Sequence, residues 1–589
     1  MFNNRHARLS VTTMNKSPLR LAPVLLSLVT LLVAGCGERQ APQAERSVEP
    51  PAGQLGTAVA PSHYRLELTI DPSQERFSGS ASIDVSLNED RADVWLHGRN
   101  LNVTEVFVTD AAGTRIEATY DEKLDSGVAL VSFEEPVSRG TATLHFTYDA
   151  PFNLAENGLF RVDRDGESYA ATQFQPIAAR QVFPGFDEPG FKVPFDLIFI
   201  TRADDVVVTT TPVIASTDLG DGFIRQEFAT TRPLPTYLIA IAVGPYDLVD
   251  YDTLPVNEIR QYELPLRAIA AKGLGNKLHY ALENTDGILN ALERYFGTPY
   301  PYRKLDLIAV PEGFGGAMEN VGAITYDEFL LVMDADSSLR QRRAYTSVHA
   351  HELAHMWFGN LVTPKWWNDI WLNESFASWM QNKAANDYWP DGEFDRETLK
   401  GALDAMGGDS LAAARQIREP VDRNEDIGTA FDGITYQKGA GVLSMLERYV
   451  GEDRFRAGVR LHMQRHIDGV ATSEDFIDSL AEGSERTEIA AAFKSFIEQP
   501  GVPLISLNVS CERGQKPRLE LSQSRYAPLG SSIDADASNW QVPVCLGFVV
   551  AGERDSTCLL LDKKQQSVSL DANSCPTAVH PNADGAGYY

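Results

Sequence analysis

The chain has 589 residues, too many for one ordinary domain and enough for three or four. Its 43% hydrophobic and 23% charged content excludes an intrinsically disordered chain. Acidic residues outnumber basic ones 81 to 52, a net charge of −29, which argues against a nucleic-acid partner and suits solubility and cationic ligands.

In chain order, the first segment reads as an address. Lys16 and Arg20 precede an apolar run from Leu21 to Gly35, too short for a membrane span but long enough for a signal-peptide core. Met14 is an alternative start. Val33-Ala34-Gly35-Cys36 resembles a bacterial lipobox, which predicts a signal peptide over 1–36 and a lipidated Cys36. The expected location is the bacterial cell envelope, with Gly37 favouring the outer membrane, facing the periplasm or the cell surface. Residues 37–57, rich in Ala, Pro, Glu and Gln, are expected to form a flexible tether.

From His63 to about Val249, apolar and polar residues alternate in short runs, as in Tyr64–Ile70, Ala81–Leu87 and Ala142–Tyr148. Period-two alternation predicts an antiparallel β domain over 58–255. Near Asn276 the period changes, and Leu278, Leu282, Ile288, Leu289, Leu292 and Phe296 recur at helical spacing up to Gly297. Further helical patterns cover 340–358, 374–388, 439–450 and 473–498, making 256–500 a mostly helical α/β catalytic block. After Gly501 strand patterns return, predicting a small β-sandwich over 501–589. The closing Gly585-Ala586-Gly587-Tyr588-Tyr589 reads either as the start of a further strand, in which case the sequence is a fragment, or as a frayed tail. Cys511, Cys545, Cys558 and Cys575 allow three pairings, of which Cys545–Cys558 across a hairpin with Cys511–Cys575 is favoured.

The chemistry concentrates in His351-Glu352-Leu353-Ala354-His355 and Glu374. Residues i and i+4 share a helix face, so His351 and His355 can offer two imidazole nitrogens to one metal ion. Glu352 is placed to act on water as a base without being a ligand. The distance to Glu374 leaves room for a turn and a second helix bearing a third ligand. Two His and one Glu leave a fourth position open, as in a catalytic zinc site.

Around this cluster, His351–Asn360, Lys365–Glu374 and Gly315-Gly316-Ala317-Met318-Glu319-Asn320 resemble the aminopeptidase N-like family of zinc aminopeptidases. The resemblance runs from about residue 60 to the end and is densest at 170–195, 310–380 and 430–446. It implies a thermolysin-like catalytic domain with one Zn2+ per chain on His351, His355 and Glu374, and Glu352 as general base. It also implies Tyr436, in Ile434–Ala440, as the donor to the developing oxyanion. The free α-amine of a peptide falls to Glu319, Gln173 and Gln175, with Gly316, Ala317, Met318 and Asn320 along the substrate backbone. Many members carry Glu where this chain has Gln175, so weaker electrostatic anchoring and a larger share for Glu319 are expected. The helical C-terminal domain common in the family is not in this sequence.

Other residues take structural readings. His349 lies about 200° around the helix from His351 and should face elsewhere. Trp366, Trp367 and Trp371 read as packing around the site, and Phe183–Pro189, a family marker, as a docking segment between domains. Asp369 could orient a ligand imidazole or lie on the surface. Two other functions compete: a thermolysin-type endopeptidase with the same ligands, and a non-catalytic surface-binding lipoprotein. The partners expected are peptides with a free N-terminus, and a membrane through the lipid anchor.

Overall fold

The computed structural model describes residues 49–312 and 314–589. The signal peptide, Cys36 and most of the proposed tether lie outside the described residues. The end of that tether does not: the backbone N–H of Asn424 donates to Ala52 O at 3.0 Å, and Leu55 N–H donates to Glu188 Oε1 at 2.6 Å. A Cβ on Gly53 would stand 2.4 Å from Asp422 O, so this stretch is fitted against the body. Residues 50–55 are therefore held, contrary to the expected flexible tether.

The N-terminal β-rich domain is built on a ten-stranded sheet. Strand Val59–Thr69 shows why: Tyr64, Leu66 and Leu68 are buried while Arg65 between them is exposed, so one face supplies core. One pairing departs from the expected antiparallel order, since Val59–Thr69 runs parallel to Phe195–Arg202. Between them the chain leaves the sheet to supply two strands, Gly158–Arg164 and Glu167–Gln173, of a second, four-stranded sheet, and the return brings it back in the same direction.

The catalytic domain begins earlier than the sequence reading placed it. Strand Asp247–Asp250 pairs with Leu266–Ala270 and joins a five-stranded mixed sheet with Leu305–Val310, Ala323–Asp327 and Ala317–Met318. Every residue of Leu305–Val310 is buried, as expected for a strand covered on both faces. The helices are α1 (His279–Phe296), α2 (Glu328–Leu331), α3 (Leu339–His355), α4 (Trp371–Tyr388), α5 (Asp395–Asp409), α6 (Gly439–Val450), α7 (Glu452–His466), α8 (Ser473–Gly483) and α9 (Ile489–Ile497). Helix α1 stops at Gly297, whose φ of 70° is the left-handed cap that glycine tolerates.

Helices α5 and α7 were not legible: α5 contains Gly401, Gly407 and Gly408, and α7 is dense in charge. The pattern over 473–498 is broken into α8 and α9. At the break a Cβ on Gly483 would stand 2.5 Å from Gly458 Cα, so α7 and α8 meet backbone to backbone.

Phe183–Pro189, expected to dock the domains, bonds within its own domain, and the flanking Arg180 and Lys192 make the bridge, Arg180 donating to Asn424 Oδ1 at 3.3 Å. The Arg180 guanidinium, 1% exposed, donates to Asp187 at 2.9 Å, and Asp187 also accepts from Thr236. Just beyond, the Lys192 ammonium donates to the carbonyls of Asn360, Leu361 and Gly469 in the catalytic domain.

Residues 503–580 form two three-stranded sheets. Cys545 lies opposite Cys558 in register, and both favoured disulfides are present. The chain end is not frayed in this structure. Tyr588 is fully buried, and its hydroxyl donates to Asp409 at 3.2 Å.

Candidate active site

His351 and His355 sit on the last two turns of α3, and Glu374 on the first turn of α4. Their Nε2 atoms are 3.0 Å apart and lie 3.4 and 3.5 Å from Glu374 Oε2. This is the convergence the spacing predicted. The outer ring nitrogens are both engaged: His351 Nδ1 with Gln381 Oε1 at 2.7 Å, and His355 Nδ1 with the Phe358 carbonyl at 3.1 Å. With each Nδ1–H donating outward, the two Nε2 lone pairs point at one spot. Gln381 is itself held by its donation to Ser347 Oγ at 2.9 Å. It lies seven residues, two helical turns, after Glu374, a signal that could have found it.

Asp369, weighed for that orienting role, is instead buried, where it accepts from Arg418 at 2.7 Å and from Ser473. His349 faces the core. Its ring bonds Tyr326 and Thr285, and burial pushes it down to about 3. Trp366, Trp367 and Trp371 are buried packing residues.

The donor set suits a divalent cation. Glu319, Glu352 and Glu374 are all under 5% exposed and share one buried space with two imidazoles. Burial raises Glu319 and Glu352, because a charged carboxylate loses water there. Burial would also raise Glu374, but its hydrogen bonds with the two imidazoles hold it low. Two imidazoles and a carboxylate whose facing atoms stand 3.0 to 3.5 Å apart are a donor set that suits zinc, and the surplus of carboxylates is what a dication would offset.

Tyr436 lies in a π-helical turn, Ile434–Lys438, that leads into α6. Such turns often occur at functional sites. Its ring stands 6.3 Å from that of His351 at 18°, and burial together with the charges of Glu374, Glu319 and Glu352 keeps its hydroxyl protonated. The turn is pressed onto α4: Ser375 Oγ donates to the Thr435 carbonyl at 2.5 Å, and a Cβ on Gly439 would collide with Ser375 Oγ at 1.8 Å.

A cavity of about 630 Å³ opens over these groups. Gln175, Gly316, Ala317 and Glu319 line one end, and Gln175 Nε2 donates to Glu319 Oε1 at 3.3 Å. Gln173, Met318 and Asn320 stand behind the wall. Gln173 touches Met318 Sδ at 3.8 Å with its Oε1 unpaired, and Asn320 bonds Thr325. The other end runs between α3, α4 and α5, past Val348, Ser347 and Arg343.

A β-rich domain docked on an α/β domain with this His-Glu-x-x-His and Glu cluster defines a metallopeptidase architecture. The Peptidase M1 N-terminal domain matches residues 60–238 and the Peptidase family M1 domain matches residues 280–498, and the chain belongs to peptidase family M1. It is 30% identical over 547 residues to the puromycin-sensitive aminopeptidase of Caenorhabditis elegans, covering 91% of this chain and 56% of that protein. To the probable aminopeptidase 1 of Sulfurisphaera tokodaii it is 32% identical over 528 residues, 89% of this chain and 62% of that protein. To the endoplasmic reticulum aminopeptidase 1 of Homo sapiens it is 30% identical over 532 residues, 83% of this chain and 55% of that protein. The chain thus spans little more than half the length of these relatives.

Proposed function

We propose that this chain is a zinc-dependent aminopeptidase that removes residues from the free N-terminus of peptides. The observation that carries this reading is the Glu319 carboxylate, braced by Gln175, at one end of the cavity that holds His351, His355 and Glu374. A carboxylate there can bind a substrate ammonium, and it limits how much peptide lies on that side of the cleaved bond. Zinc held by the two histidines and Glu374 would supply Lewis acidity, polarising the scissile carbonyl and acidifying water. Glu352, on the cavity wall, accepts the proton of the attacking water and can return it to the leaving amine. The protonated Tyr436 hydroxyl donates to the developing oxyanion. Gln175 contributes no charge, so Glu319 carries the electrostatic part of amine recognition.

Glu319→Ala is therefore expected to lower kcat/KM about 10- to 100-fold, the size of a lost charged hydrogen bond. Acetylation of the peptide N-terminus is expected to abolish cleavage. Steady-state kinetics on matched free and acetylated peptides check both, and cleavage of the acetylated peptide would favour the endopeptidase reading.

The lipobox-like Val33–Cys36 supports a second proposal, anchoring in the bacterial envelope through lipidated Cys36. Incorporation of labelled palmitate into the native chain, lost in Cys36→Ala, is the expected result. A wild-type chain that takes up no label would end that proposal.

A further inference from the structure

We propose that Glu156 is a specificity-determining residue that makes this cavity prefer peptides beginning with arginine or lysine. The inference rests on the aminopeptidase reading above and concerns the side chain of the residue removed. With the α-amine at Glu319, as that reading has it, the side chain projects along the wall formed by Gly316 and Ala317, and Gly315 and Glu156 stand at the edge next to it. Gly315 has no side chain to close this end, and among the described residues, its chain neighbours aside, the atom within 4 Å of a Cβ built there is Glu156 Oε2, at 4.0 Å. A carboxylate from the N-terminal domain thus stands where a local side chain would otherwise be.

Glu156 is placed by a built turn. Asn153 N–H donates to the Leu159 carbonyl at 3.0 Å, Asn153 Nδ2 donates to Gln181 Oε1 at 3.1 Å, and Gly315 N–H donates to Glu156 Oε2 at 3.1 Å. Only one of its oxygens is used by that bond. Asp327 adds negative charge nearby: its backbone N–H donates to the Gly316 carbonyl at 2.7 Å, while its carboxylate accepts from Phe329 N–H at the start of α2. Burial and the charge of Asp327 both raise Glu156. Among the described residues neither carboxylate is in an ion pair, and Arg164 is engaged by Glu328 and Asp165. Gly315 and Glu319 are four residues apart, at most roughly 13 Å along the extended segment, a span that only a long side chain begins to bridge. The net charge of −29 also favours the approach of cationic peptides.

The test uses the full chain loaded with zinc on arginyl-, lysyl-, leucyl- and alanyl-amidomethylcoumarin. Calorimetry of L-argininamide and L-leucinamide binding to the metal-free protein is run in parallel. The wild type is expected to favour the arginyl and lysyl substrates. Glu156→Gln is expected to lower the arginyl-to-leucyl ratio of kcat/KM about tenfold or more, the size of one lost charged hydrogen bond. Argininamide affinity should fall in step. Gly315→Met, which interposes a side chain without altering Glu156, should lower the same ratio. A wild type that cleaves the leucyl substrate without an arginyl preference, or a ratio unmoved by Glu156→Gln, overturns the assignment and leaves the aminopeptidase reading standing. Cleavage of none of the four overturns that reading instead, and equal affinity of the wild type for the two amides then overturns this inference as well.

Discussion

Glu352→Gln is expected to lower kcat by about 10²- to 10⁴-fold, the contribution of a positioned general base. Zinc content should stay at one ion per chain. The two halves of this expectation come from one geometry. Glu352 lies on the cavity wall between the two histidines in sequence, yet among the described residues the atoms that converge belong to His351, His355 and Glu374. Glutamine keeps the shape and removes the proton acceptor. Turnover measured beside metal analysis by mass spectrometry separates the roles. Activity near wild type would refute the base assignment, whereas loss of zinc would make Glu352 a ligand and refute it differently.

Asp409→Ala is expected to destabilise the protein by about 3–5 kcal/mol, the usual result of stripping one partner from a buried ion pair. Asp409 and Lys438 are both fully buried, with Lys438 Nζ 2.9 Å from Asp409 Oδ2. The same carboxylate accepts from Gly501 N–H at 2.7 Å and from the Tyr588 hydroxyl at 3.2 Å. One side chain therefore ties α5, the catalytic turn that ends at Lys438, the connection at Gly501 and the last residues of the chain. Lys438 is two residues from Tyr436, so activity should fall under conditions where the variant is still folded. Adding Lys438→Met to Asp409→Ala should recover much of the stability, because it removes the unpaired ammonium. Denaturant midpoints for the wild type, the single and the double variant check this, and an unchanged midpoint in Asp409→Ala would contradict it.

The His351, His355 and Glu374 cluster was legible because its geometry is local. Two histidines one helical turn apart must share a face whatever surrounds them, and the short distance to Glu374 limits where the third ligand can come from. The change from period two to helical spacing near Asn276 located the start of the helical block for the same reason. Alternation without a partner does not report strand direction, so the parallel pairing of Val59–Thr69 with Phe195–Arg202 was invisible. Glycine-bearing α5 and charge-rich α7 lack a strong apolar stripe, and tertiary packing rather than local pattern makes them helices.

The sequence by itself determined the His351, His355 and Glu374 cluster, the Glu352 carboxylate beside it, and the family to which the chain belongs, because helix geometry and contiguous motifs need no long-range information. Only the tertiary structure decided which groups surround that cluster. Gln381 rather than Asp369 braces His351, residues 50–55 are fitted to the body, and Tyr588 is a buried anchor. Glu156 meets Gly315 across 159 residues of chain. The Glu156–Gly315 contact depends on how separately folding segments pack against each other, and no spacing along the chain encodes it.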